Sequence, residues 1–141
     1  MTHKRQQIRE AVVAILEAIP EWTGRVFPNR TRPTEAAELP VALVYSLSED
    51  ADVVTMGGTL QRSLTIAIEI RASAVGAIDN VLDDLAQKAE QAIAADPRLG
   101  RRAIHSRLSG TTLGLDGEGE SRQAVLTLTY IIQYQTDGSG N

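Results

Sequence analysis

At 141 residues, with 43% hydrophobic and 23% charged residues, the chain suits one domain with a real core. It has no cysteine, which excludes disulfides, thiolate chemistry and cysteine-ligated zinc and agrees with a reducing compartment. A formal charge of −4 argues against a nucleic-acid footprint spread over the surface, and aromatics at 4% leave the core to Leu, Ile, Val and Ala.

Met1 to Arg5 is polar and basic, and the apolar residues after it are helically spaced, so the segment does not read as a secretory signal. No window approaches the roughly 18–20 apolar residues of a membrane span. A cytoplasmic protein, or an assembly built there, is expected. Ile8, Val12, Ile15, Leu16 and Ile19 form one stripe of an amphipathic helix over about Thr2 to Ile19, with Thr2 as a candidate N-cap and Pro20 as its stop. Gly24 to Pro28 has room for only a short strand, and Asn29 to Leu39 reads as loop. From Pro40, the residues Val41, Leu43, Tyr45 and Leu47 share one face of a strand. Ala42 and Val44 make its other face apolar, as in a strand covered on both sides. Ser48 to Gly58 is acidic and then glycine-bearing; it reads as an extended, mobile arm, too long for a tight hairpin.

Leu60 to Arg71 is the clearest strand. Leu60, Leu64, Ile66, Ile68 and Ile70 alternate with Gln61, Ser63, Thr65, Glu69 and Arg71, broken only by Arg62. Ser73 to Gly76 is a turn. Ile78, Leu82, Leu85, Ala89 and Ile93 mark a second helix over about Ala77 to Ala95, ended by Asp96-Pro97. Arg98 to Arg102 is a basic loop. Ala103 to Leu115 has a weaker strand pattern, anchored by Ile104 and Leu113, and Asp116 to Ser121 is a turn. The last strand alternates through Ala124, Leu126, Leu128, Tyr130, Ile132 and Tyr134. Thr136 to Asn141 reads as a disordered tail. These elements make an α+β fold: a mostly antiparallel sheet of four to five strands with two helices on one face, in a single domain over residues 1–135.

The sequence carries no reaction signature. His3 and His105 have no nucleophile or metal partner at a recognised spacing, no phosphate-loop or nucleophile-elbow motif occurs, and Asp83 and Asp84 point in different directions on a helix. Gly114, Gly117 and Gly119 lie between strands, with no helix N-terminus to hold an anion. Glu49, Asp50 and Asp52 lack the spacing of a calcium loop. No enzyme activity, cofactor or metal is therefore expected. The residues left as interface candidates are the acidic Glu49, Asp50 and Asp52, the basic Arg98, Arg101, Arg102 and Arg107 (with His105), and Trp22, which reads as a core lid or an interface anchor. The opposite charges of the two segments suit pairing between copies or separate partners.

Several segments in order look familiar: IREAVVAILEAI, GRVFPNRTRP, ELPVALVYSLSEDAD, QRSLTIAIEIRA, VLDDLAQKAEQAI and QAVLTLTYIIQYQT. Together, from about Ile8 to Thr136, they resemble the tail terminator proteins of long-tailed phages, the minor tail protein U family of lambda-like phages. The resemblance implies a structural virion protein, not an enzyme. Such a protein forms a ring, a hexamer in that family, on the head-proximal end of the tail tube. There it stops tube growth and presents a surface to the head connector. The implied partners are further copies of itself, the tail tube protein and a head completion protein, with DNA passing through the ring. A phage head-closure protein and a small bacterial ligand-binding domain are the alternatives; a deep apolar pocket would favour the latter.

Overall fold

The computed structural model describes residues 3–28, 40–73, 76, 78–116 and 122–141. The order is α1 (Lys4–Glu17), a 3-10 turn (Pro20–Trp22), β1 (Val26–Phe27), β2 (Val41–Val53), β3 (Leu60–Ser73), α2 (Ile78–Ala95), β4 (His105–Asp116) and β5 (Gln123–Thr136). The strands form one sheet in the order β1-β2-β3-β5-β4. Only the β1–β2 pair is parallel; the other three are antiparallel. The fold is the expected α+β layer with both helices on one face.

Period-two alternation explains the centre. On β5 every second residue from Ala124 to Tyr134 is buried, and on β3 Leu64, Ile66, Ile68, Ile70 and Ala72 are buried on the same face. Ile8, Val12 and Leu16 of α1 and Leu82, Ala86, Ala89 and Ile93 of α2 pack onto that face, with Ala42 and Val44 from β2. Burying this much apolar surface at roughly 25 cal/mol per Å² is the main force holding the layers together. The opposite face of β2 is also closed: Val41 and Leu43 are buried there, as the two apolar faces suggest. On that face Tyr45 donates to Glu69 Oε1 at 2.9 Å, and Arg71 pairs with Glu69 Oε2 at 2.7 Å.

Several boundaries differ from the sequence reading. Helix α1 is capped by His3, whose Nδ1 accepts from the Arg5 amide at 2.9 Å; Thr2 lies outside the described residues. The helix ends at Glu17, and Pro20 opens the 3-10 turn instead of stopping α1. The arm read over Ser48 to Gly58 is a strand as far as Val53, paired with β3 down to Val53↔Leu60. Polar and acidic residues hid it, although an antiparallel pair tolerates a wet face. Only Val54 to Thr59 turns, closed by the Val54 amide to Thr59 oxygen at 2.9 Å, with Gly58 at φ +86 where a side chain would be strained. Of Thr136 to Asn141, read as a disordered tail, Thr136 ends β5 and Asp137 to Asn141 folds into a turn. The Asp137 carboxylate accepts from the Ser139 amide at 2.8 Å, and Gly140 oxygen accepts from the Lys4 amide at 3.3 Å. Ile104 and Leu113, read as the apolar anchors of β4, are 44% and 58% exposed. The loop read over Asn29 to Leu39 and the glycine turn after Asp116 lie outside the described residues.

Candidate assembly interface

The acidic and basic candidates occupy opposite edges of the sheet. Between them lie β3 and β5, so β2 and β4 are about 14 Å apart at the strand spacing of roughly 4.8 Å. Within one chain the two charge groups cannot meet.

Strand alternation splits the acidic group, and a bulge in β2 decides which part of it turns toward the helices. The register shifts between Ser46 and Ser48, so that Leu47 is the extra residue. Beyond it, Glu49 lies opposite Leu64, on the helix side, while Asp50 and Asp52 lie opposite Ser63 and Gln61 and are exposed. Glu49 is absorbed into an internal cluster. Its Oε2 accepts from Arg5 at 2.5 Å and from Arg62 at 2.9 Å, and its Oε1 accepts from the Tyr134 hydroxyl. Arg62 Nε also donates to Thr136 Oγ1 at 2.8 Å. Burial opposes ionisation of Glu49, but the hydrogen bonds from Tyr134 and Arg62 and the charge of Arg5 outweigh it and hold the carboxyl below the usual glutamate value. Burial, and then Glu49 itself, push the Tyr134 hydroxyl well up. Sequence reasoning missed Arg5, Tyr134 and Thr136. The available signal was Arg62, a cation on the apolar face of an otherwise regular strand, which requires a buried anion.

The basic group stays together and stays outside. Leu99, buried to 1%, plugs the loop after α2 into the core, while Arg98, Arg101 and Arg102 are exposed around it. Leu99, Gly100 and Arg101 follow one another at φ 51, 66 and 70, a left-handed run held by the Asp96 carboxylate on the Gly100 amide at 3.0 Å. Ser106 Oγ donates to Pro97 oxygen at 2.9 Å and ties the loop to the start of β4, where Arg107 is exposed. These cations are displayed by a fixed frame.

Trp22 is fully buried, a member of the core cluster. Other large apolar residues do reach solvent: Val53, Val54 and Met56 at the β2–β3 tip, and Leu108, Leu113 and Leu115 along β4. Among the described residues no cluster of three metal-ligating side chains occurs, and no helix is long and apolar enough to cross a membrane.

The exposed features of the described residues are thus charged edges and apolar strand tips. The family model for phage minor tail protein U matches residues 3–134. The chain belongs to the phage minor tail protein U family. As a minor tail protein it is a structural component of a phage tail. A chain of the virion of a native gene transfer agent particle is also similar, at 15% identity and TM-score 0.36, covering 95% of this chain and 92% of that one. No curated protein matches the chain.

Proposed function

We propose that this minor tail protein U family member closes the head-proximal end of the tail tube as a ring, stopping tube polymerisation and offering the surface on which the head is joined. The observation that carries this reading is the family match over nearly the whole chain. The physics of the surface supports it. A tube grows because each added layer leaves a fresh binding face, so a cap must match that face on one side and mismatch further tube subunits on the other. The β2–β3 tip is suited to such an axial contact: Val53, Val54 and Met56 are 68%, 46% and 107% exposed at the end of a hairpin whose base is held by the Glu49 cluster. A ring in turn needs two different, mutually complementary lateral surfaces whose rotation closes, as in the hexamer that the family resemblance implies.

Purified tube protein polymerised with and without this chain tests the function. Tubes of arrested length, each with one extra annular layer at a single end in electron micrographs, are expected. Tubes of unchanged length with bare ends would overturn it.

A further inference from the structure

The two edges of the sheet match each other. On one side, β4 runs 12 residues with β5 as its only partner among the described residues, and everything from Arg107 to Leu115 is exposed. A long free edge carrying exposed Leu108, Leu113 and Leu115, with no proline or lysine to blunt it, is an open invitation to pairing. On the other side, β1 covers only Ala42 and Leu43 of β2, so the described residues leave the outer edge of Ser48 to Val53 without a strand.

The register puts complementary charges at one height. Following the rows across the sheet, Asp50 pairs with Ser63, Ser63 with Gln133, and Gln133 with His105; Ser48 leads through Thr65 and Ile131 to Arg107. Asp50 and Arg107 therefore stand at opposite edges, two residues apart in height and on the same face, away from the helices. The two edge bulges also nearly coincide. Leu47 falls between the rows of Leu108 and Arg107, and Ser109 falls between the rows of Leu108 and Gly110. Both edges bend at the same level.

β2 and β4 run in opposite directions, since three antiparallel pairings separate them. Rotating one copy about an axis along the strands brings its β2 beside the β4 of its neighbour in antiparallel sense, with both helix layers on the same side. We propose that adjacent copies in the ring join by antiparallel continuation of the sheet, the His105–Arg107 start of β4 in one copy lying along Ser48–Asp50 of β2 in the next, with Arg107 against Asp50. This rests on the ring reading above. The contact is heterologous, as a closed ring requires, and Asp50 and Arg107 are diagonal neighbours across the new pair, within reach of an arginine side chain. The same placement sets the neighbour's α1 against the groove of about 430 Å³ between α2 and β4, rimmed by Asp83, Asp84 and Glu90. Arg9 reaches toward the β2 edge from that helix, donating to Ser46 Oγ at 3.1 Å.

The cysteine-free chain permits a direct test. Arg107→Cys is combined in turn with Ser48→Cys and Asp50→Cys, the proteins are assembled on tail tubes, and they are treated with a mild oxidant. A covalent ladder ending at the mass of the ring is expected, dependent on both cysteines, because facing residues of paired strands lie within disulfide range. Separately, Asp50→Arg or Arg107→Asp alone is expected to weaken ring formation roughly tenfold, and the swap of both to restore it. Rings of native mass that give no cross-link at either pair and no rescue by the swap would overturn the edge contact while leaving the ring standing. Capping by a single copy, with no multimer on the tube, would overturn the ring reading and this inference with it.

Discussion

β5 and β4 are neighbours in one sheet, 14 and 12 residues long, and their surroundings could hardly differ more. β5 buries every second side chain under the helices, whereas β4 presents Arg107 to Leu115 to solvent. Leu113 and Leu126 sharpen the contrast. They are register partners on one face of the sheet, yet Leu126 is 1% exposed and Leu113 is 58% exposed. The helix layer stops over β5. A strand that folding covers must carry an apolar face. A strand left open after folding carries whatever its later partner requires.

The largest effect expected from this contrast is Leu126→Ala, which opens a cavity under α2 and lowers the unfolding free energy by about 3 kcal/mol in chemical denaturation. Next comes Glu49→Gln. It leaves Arg62, 12% exposed, without its anion and the Tyr134 hydroxyl without a charged acceptor, at a cost of about 2 kcal/mol. The same cluster sets an acid limit. The Glu49 carboxyl is held below its ordinary value near 4.5 in the fold, so its contribution is complete above that value and is lost as pH falls through the lower, folded value. Acid titration followed by denaturation midpoint is expected to show this loss in the native chain and not in Glu49→Gln. Smallest is Leu113→Ala, expected to leave the free chain within about 0.5 kcal/mol of native. A loss comparable to Leu126→Ala would show that β4 is covered in the free protein.

The same contrast decides what the sequence could reveal. The strands and helices of the covered core were legible because burial imposes a period: Ile66, Ile68 and Ile70 on β3, Leu126 to Tyr134 on β5, and the stripe from Ile8 to Leu16. β4 was faint because no helix among the described residues covers it, and its supposed anchors Ile104 and Leu113 proved exposed. Glu49, Asp50 and Asp52 looked like one acidic group because their segment reads as an arm, without the alternation that sets Glu49 against Asp50 and Asp52. Leu47 alone turns Glu49 inward and leaves Asp50 and Asp52 outside. Arg62 was the visible trace of that event, an exception to alternation whose partner lies 13 residues away on the adjoining strand.

The measurement closest to the central claim is hydrogen exchange of backbone amides in the free chain and in the chain assembled on tail tubes. In the free chain, β5 should exchange slowly while His105–Arg107 and Ser48–Asp50 exchange fast at their outer edges. On assembly both fast segments should become protected together, with β5 unchanged. If the outer amides of β4 and β2 exchange as fast in the assembled ring as in the free chain, sheet continuation between copies is contradicted.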